Sequence, residues 1–300
     1  MRIAGIALPP LLQRAFDDCR PHFLAAAGFS ILISLLLLAP ALYMLQVYDR
    51  VLATGGKATL LFVTLGLAVA LLTFAALDAV RSRLLVRASA QIDASLAPEF
   101  LSQMLSNGSR PSVQSMRDLD VVRQTIASPS AAALFDLPWA PIFVIVCFLL
   151  HFWLGLLGFA AIVLLLVIAR WHQQAIRETT EASSRTIASS HLAEQAAAAH
   201  AGTLRAMGMV GAMVDRRRSQ RAGGVSNLVQ AQLAGSHFTA ISRFVRLFVQ
   251  SAALGLGALL AIDGQISPGA VIAASILIGR ALQPIDALIG GWSSLIASRA

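Results

Sequence analysis

The stretch Thr59-Leu-Leu-Phe-Val-Thr-Leu-Gly-Leu-Ala-Val-Ala-Leu-Leu-Thr-Phe-Ala-Ala-Leu77 contains no charged residue and decides the fold class of this sequence. A membrane-spanning helix needs about 18 or more apolar residues, because each residue adds about 1.5 Å across a hydrocarbon layer ~30 Å thick. The stretch is long enough to cross that layer once. We therefore interpret it as a membrane span.

The composition of the whole chain agrees with this interpretation. Of its 300 residues, 13% are charged and 57% are apolar. Soluble domains carry roughly 25% charged residues. A mean hydropathy of +0.73 would also suit an unusually apolar soluble core, so the length of the apolar runs carries the argument.

Apolar runs elsewhere in the chain predict five more spans. The six predicted spans are, in order, about 23–47, 59–80, 131–150, 153–170, 244–262 and 268–289. The third and fourth form one continuous run that would measure about 48 Å over residues 138–169 alone, so we expect the chain to fold back near His151 and Phe152. Ser267 and Pro268 suit the N-cap and the first position of the sixth helix.

The net charge of +8 comes almost entirely from arginine, because Lys57 is the only lysine. A basic chain can indicate a nucleic-acid partner. Here the arginines lie at the ends of apolar runs, where positive charge marks the cytoplasmic side, so we expect no nucleic acid. The arginine distribution predicts that both termini are cytoplasmic, with residues 1–21 as a cytoplasmic segment and 22–300 as the transmembrane domain. Alternatively, Ala39-Pro40-Ala41 is a signal-peptidase site that removes the first run.

Two long polar connections, residues 81–130 and 171–242, lie on the arginine-rich side of the predicted spans. Their composition favours helix, which predicts two helical hairpins that extend beyond the membrane. We expect a short transverse helix at each tip. In the first tip Ser112 can cap a helix through Thr125, with Met116–Ile126 as the docking segment, and in the second the helix is Leu204–Val214. These tips are either solvated extensions or docking sites for another domain.

Several longer motifs resemble the membrane domain of the protease-exporting type I secretion ABC transporters. They are Tyr43-Met-Leu-Gln-Val-Tyr-Asp-Arg-Val-Leu52, Phe135-Asp-Leu-Pro-Trp139, Ala206-Met-Gly-Met209 and Ala273-Ala-Ser-Ile-Leu-Ile-Gly-Arg-Ala-Leu282. The resemblance covers nearly the whole chain from about Phe23 onward. It implies an all-α integral membrane fold, the six-transmembrane-helix ABC exporter (type 1) domain with long cytoplasmic helical extensions, in the bacterial inner membrane.

The same resemblance implies a set of partners. They are a second copy of the chain or a homologous permease, an ABC ATPase domain, a periplasmic membrane-fusion adaptor, an outer-membrane channel, a secreted polypeptide and the lipid bilayer. It assigns ATPase coupling to residues in both tips, which are Met116, Arg117, Asp118, Leu119, Ala206, Met207, Gly208 and Met209.

No nucleotide-binding motif is visible in the sequence. A phosphate-binding loop ends in Gly-Lys-Ser or Gly-Lys-Thr, whereas Lys57 lies in Gly55-Gly56-Lys57-Ala58. We therefore expect no enzymatic activity and no cofactor on this chain, with ATP and Mg bound by an ABC ATPase domain on a partner or on a part of the protein not included in this sequence. Neither the histidines nor Cys19 and Cys147 show the spacing of a metal site.

Charged residues near the spans provide further candidates. Arg280 lies about a dozen residues into the sixth span, so it is a pathway-lining candidate, or it snorkels or pairs with a neighbour, Asp286 or Asp78. Arg243 and Arg246 either line the pathway or mark the boundary of the fifth span.

Two acidic residues beside apolar runs are open to more than one interpretation. Asp49, with Tyr48 and Arg50, is a candidate contact for an adaptor outside the membrane, or forms a helix-end cap with a local ion pair. Asp136 precedes Pro138 and is predicted to be a structural cap.

Three other functions remain as alternatives. The chain could belong to an ABC exporter of lipid, drug or peptide, or it could be a membrane scaffold without a transport role. An intramembrane hydrolase is disfavoured, because the sequence has no Gly-x-Ser-x-Gly motif.

Overall fold

Among the described residues of the computed structural model, six helical segments are long and apolar enough to cross a membrane, which confirms the predicted fold class. These spans are Arg20–Thr54, Lys57–Glu99, Pro129–Leu150, Phe152–Ala175, Gln232–Ile262 and Pro268–Gly291. The structure describes the backbone of residues 2–3, 6–7, 19–107 and 111–297, without the side chains of most of 100–118, of 176–188, of 292–297 and of a few positions between 191 and 231. Most of the predicted 1–21 segment lies outside the described residues.

The first two spans form a hairpin. The first consists of helices Arg20–Leu36 and Ala39–Gln46, a π-helix Val47–Val51 and a short helix Leu52–Thr54. Gly55 ends it with a φ of +65°, a left-handed conformation that glycine adopts without a steric cost. The second span belongs to one helix, Lys57–Asn107, which continues beyond the apolar run as predicted. Near the N-terminus, the two-residue strands Arg2–Ile3 and Ile6–Ala7 pair antiparallel.

The third and fourth spans are separate helices, which confirms the predicted fold-back. The third contains helices Pro129–Asp136 and Ala140–Leu150 with the 3-10 turn Leu137–Trp139 between them. The fourth begins the helix Phe152–Ala199. His151 between them is extended, with a φ of −164° and a ψ of 141°, and its Nδ1 accepts a hydrogen bond from the Trp153 N–H.

The fifth and sixth spans are joined by a tight turn. The fifth ends the helix Val210–Ile262, and the sixth begins the helix Pro268–Ala297. Ser267 Oγ accepts a hydrogen bond from the Ala270 N–H at 3.2 Å, which confirms the predicted N-cap.

The prediction is confirmed for the first tip and not for the second. The first contains the helix Pro111–Ile126, close to the predicted helix from Ser112 through Thr125. In the second, the predicted transverse helix Leu204–Val214 is wrong. The helix Ala201–Ala206 ends at a turn in which Gly208 has a φ of +67°, and Val210 already begins the long returning helix.

The sixth span lies at the centre of the bundle and the second lies at its edge. Within the most apolar 18-residue window of each, 56% of the sixth span and 0% of the second span are buried. Leu277, Ile278 and Leu282 of the sixth span pack in one apolar core with residues of the first, third, fourth and fifth spans. An apolar core excludes unpaired polar groups. A polar residue on the sixth span is therefore expected to have a hydrogen-bond partner or to face a cavity.

The bundle has two unlike ends. At the short-turn end lie residues 47–56, His151 and residues 263–267, and His151 Nε2 is hydrogen-bonded to Gln265 Oε1 at 3.0 Å. At the long-helix end, the helices continue past the apolar spans.

Candidate functional site

A polar cavity of about 450 Å³ lies between the fifth and sixth spans, toward the long-helix end. It is lined by Thr239, Arg243, Arg246, Gln283, Asp286, Ala287 and Gly290. On each helix these residues recur at intervals of three or four, apart from the adjacent Asp286 and Ala287, so they share one face. The sequence therefore places two guanidinium groups and one carboxylate where two otherwise apolar helices meet.

Asp286 connects the two helices across this cavity. Its Oδ1 accepts a hydrogen bond from the buried Ser242 hydroxyl at 2.6 Å, and its Oδ2 accepts one from Arg246 Nε at 3.0 Å. Arg243 forms no ion pair within the described residues. The cavity therefore keeps a net positive charge, since one carboxylate balances one of its two arginines.

Arg280 extends the same polar track deeper into the sixth span. Its Nη1 donates to Gln283 Oε1 at 3.1 Å, and Gln283 lines the cavity. The alternative in which Arg280 pairs with a nearby carboxylate is wrong for both predicted partners. Asp286 binds Arg246, and Asp78 Oδ1 accepts from Arg81 Nη2 at 2.7 Å.

A buried arginine cluster joins the first three spans near the long-helix end. Arg81 is 6% exposed and donates to Ser30 Oγ at 2.9 Å, to Asp78, and to Asp136 Oδ1. The prediction that Asp136 is a helix cap is wrong, because its side chain forms no capping hydrogen bond and binds the Arg81 guanidinium instead. We name Ser30, Asp78, Arg81 and Asp136 the arginine cluster.

The three adaptor-contact candidates separate at the short-turn end. Tyr48 and Arg50 are exposed, while Asp49 is half-buried and faces the sixth span. Asp49 Oδ1 accepts from the Gly269 N–H at 2.8 Å, and Oδ2 accepts from the Ser267 hydroxyl at 2.5 Å. Asp49 therefore caps the sixth helix and not the end of its own helix. Within the described residues Asp49 and Arg50 form no ion pair, so that part of the prediction is wrong.

The ATPase-coupling candidates also separate. Ala206, Met207, Gly208 and Met209 form the exposed turn of the second tip, and Met207 is 65% exposed. Leu119 in the first tip is buried with Cys19, Ile92 and Leu96, so it anchors the tip rather than forming part of its surface. The side chains of Met116, Arg117 and Asp118 lie outside the described residues.

Sequence reasoning missed the contacts that cross between spans. Ser242 drew no attention because a serine in a polar connection has many possible roles. Arg81 was interpreted only as a marker of the cytoplasmic side. The spacing of Asp78 and Arg81, three residues apart at the end of an apolar run, is the one local signal that could have indicated a paired charge.

Comparisons with known proteins agree with this architecture. The family described as the ABC transporter transmembrane region matches residues 23–284. The Type I secretion system ATP-binding protein PrsD of Rhizobium meliloti (strain 1021) is 34% identical to this chain over 301 aligned residues. The alignment covers 95% of this chain and 50% of that protein, so the chain spans about half the length of the curated relative.

Proposed function

Because the chain belongs to the family of ABC transporter transmembrane regions, we propose that it forms the membrane-spanning part of an ATP-driven exporter for type I protein secretion. The observation that carries this proposal is the polar track within the sixth span. It runs from Gly290 and Asp286 through Gln283 to Arg280, about 15 Å along a helix that is otherwise in the apolar core. Charged groups at such positions are costly in a membrane unless they face water or a pathway.

In this proposal the cargo is an unfolded polypeptide that enters at the cavity. A cavity with surplus guanidinium groups and an amide offers hydrogen-bond donors to the carbonyl groups and carboxylates of a passing chain. Such contacts recognise features common to any polypeptide, which suits export of long sequences better than a closed pocket would. Arg243, Arg246 and Arg280 are the proposed lining residues.

Energy would come from ATP and Mg bound to an ABC ATPase domain, in the same polypeptide or in another. The exposed turn at Met207 and Met209 offers an apolar surface for that domain, and methionine side chains adapt readily to a partner. A second copy of the chain would complete the pathway. No catalytic role is proposed for the residues of this chain.

The proposed orientation has the long-helix end in the cytoplasm. Arg81, Arg170 and Arg243 lie at that end of their spans, and positive residues concentrate on the cytoplasmic side of bacterial inner-membrane proteins. Both termini are then cytoplasmic. The exposed Tyr48 and Arg50 at the opposite end would contact a periplasmic adaptor that leads to an outer-membrane channel.

The test is reconstitution of the chain with its ABC ATPase domain in proteoliposomes. We expect ATP turnover to rise when polypeptides with a C-terminal secretion signal are added, and Arg280→Ala to reduce that rise without a loss of folded protein. Arg83→Ala is the matched control, because Arg83 is exposed and lies away from the track. Stimulation by lipids or drugs alone would instead support the other class of ABC exporter, and no stimulation by any cargo would support a scaffold.

A further inference from the structure

The hairpin of the first and second spans is held as one unit. Tyr43 Oη and Thr64 Oγ1 are hydrogen-bonded at 3.2 Å between its two arms. No residue in the most apolar window of the second span is buried, so this part of the span adds no packing to the core of the bundle, and Ile92 and Leu96 farther along the helix pack with Cys19 and Leu119 instead. Within the described residues, the attachment of the hairpin to spans three to six therefore depends on the first span and on two groups of polar contacts.

Those two groups lie at opposite ends of the hairpin. The arginine cluster joins it to the third span at the long-helix end, through Arg81 and Asp136. Asp49 joins it to the sixth span at the short-turn end. Residues 57–81 between these contacts form one helix of about 36 Å, which places the contacts on opposite sides of the hydrocarbon layer.

The contact at Asp49 is built from several matched features. Pro268 has no N–H, the Ala270 N–H binds the N-cap Ser267 Oγ, and the Gly269 N–H binds Asp49, so one N–H of the first turn of the sixth helix is satisfied from the first span. A carboxylate at a helix N-terminus is also favoured by the helix dipole. Gly269 leaves the necessary space, because a Cβ there would lie 2.6 Å from Asp49 Oδ1.

Asp49 reaches this position from a π-helix, Val47–Val51. Single π-turns of this kind are frequent at functional sites, and the wider turn changes the direction of the side chains. A regular helix through the same residues would rotate Asp49 relative to the sixth span. A change from π-helix to regular helix in this segment would therefore break the contact.

We infer that Asp49, Ser267 and Gly269 form an outer latch, which holds the short-turn end of the pathway closed and opens in each export cycle. Asp49 is then a positioning residue for export. The inference rests on the proposed function, because it assigns the latch to a transport cycle.

The structure favours opening at this end over the other. The arginine cluster places a buried guanidinium against two carboxylates, which makes a permanent joint that would be costly to separate. The outer latch uses neutral donors and is partly exposed, so water can replace the protein partners of Asp49 when it separates. His151 binds Gln265, so the turn before the sixth span stays with the third and fourth spans while the hairpin moves away.

The first test is to lock the latch with a disulfide. Asp49→Cys and Gly269→Cys are combined in the full chain after Cys19 and Cys147 are replaced by alanine, with each single cysteine as a control. We expect the disulfide to form in the resting protein and to abolish export with its ATPase domain, and a reductant to restore export. Export at the normal rate by fully cross-linked protein would overturn the inference, and so would failure of the disulfide to form.

The second test releases the latch without a cross-link. Asp49→Ala should raise the resting population of separated hairpins roughly tenfold, measured as the distance between spin labels at residues 53 and 263 in nanodiscs. Asp49→Asn retains a carbonyl acceptor and should stay near wild type. Ser267→Ala should give an intermediate shift, and Gly269→Ala should match Asp49→Ala because its methyl group displaces the carboxylate.

The matched control for these variants is Asp263→Ala with the second label moved to residue 262. Asp263 is an exposed carboxylate in the same turn as Ser267 and forms no ion pair within the described residues. If the distance between the spin labels is unchanged in Asp49→Ala and the cross-linked protein still exports, the latch is rejected and the proposed export function is retained. If the distance changes but no secreted polypeptide stimulates ATP turnover, the secretion function is rejected and the latch is retained.

Discussion

Replacing Arg81 tests whether the arginine cluster is the permanent joint of the hairpin. The Arg81 side chain is 8% exposed, whereas Asp78 and Asp136 retain 48% and 25% exposure. Arg81→Ala removes three hydrogen bonds, one of them to Ser30, and leaves two carboxylates with no cation between them. Breaking a fully buried ion pair costs about 3–5 kcal/mol.

Because both carboxylates keep contact with solvent, the expected cost is below that range, about 2–3 kcal/mol. This corresponds to about a 30- to 150-fold change in the ratio of folded to unfolded protein. Arg81→Lys should recover only part of the loss, since one ammonium group cannot reproduce the forked geometry that reaches Ser30, Asp78 and Asp136 together. Arg83→Ala, at an exposed position on the same helix, is the control.

The measurement is unfolding of the full chain in mixed micelles by a titration with denaturing detergent, with the same lipid content for each variant. A cycle with Asp136→Asn isolates the interaction between Arg81 and Asp136, because residues in direct contact show non-additive effects. If Arg81→Ala unfolds at the same detergent fraction as Arg83→Ala, the cluster does not hold the hairpin. The inference that the hairpin is fixed at the arginine cluster and opens at the outer latch would then lose its support.

Three further predictions concern the cavity, the second tip and the packing of the spans. Asp286→Ala should destabilise the chain by about 1–3 kcal/mol and more than Arg246→Ala does, as measured by the same detergent titration, because two donors lose their acceptor. Gly208→Val should separate ATP turnover from export, measured in proteoliposomes, because its φ of +67° disfavours a β-branched residue. Gly257→Ala should lower thermal stability whereas Gly255→Ala should not, because an added Cβ would lie 2.8 Å from the Val271 side chain at Gly257 and would meet nothing within 4 Å at Gly255.

The membrane itself made the spans predictable from the sequence. A helix in lipid must be long and apolar, so six runs were visible without knowledge of their packing. The length of the third run also predicted the fold-back near His151, and local chemistry predicted the cap at Ser267, since a cap depends on neighbours within a few residues. The second tip was misplaced because apolar residues at 204–214 indicated one helix, whereas the break falls at Gly208 within that stretch.

The polar contacts between spans were not predictable, because they join residues far apart in sequence. Asp49 and Gly269 are separated by 220 positions, and Arg81 and Asp136 by 55. No periodicity connects such pairs. Asp136 was therefore assigned a local role, although its partner belongs to another span.

Acidic residues at the ends of spans carry more information about such contacts than arginines do. Arginines accumulate at the cytoplasmic ends for reasons of orientation, so a terminal arginine does not require a partner. Carboxylates have no such general role, and this chain has only 15 of them. Asp49, Asp136 and Asp286 each bind a group on a different helix, whereas Asp78 pairs with Arg81 on its own helix and the exposed Asp263 forms no ion pair within the described residues. A carboxylate that adjoins an apolar run therefore indicates a polar contact, and its partner, as at Asp136 and Asp286, shows which of the many arginines is held between helices.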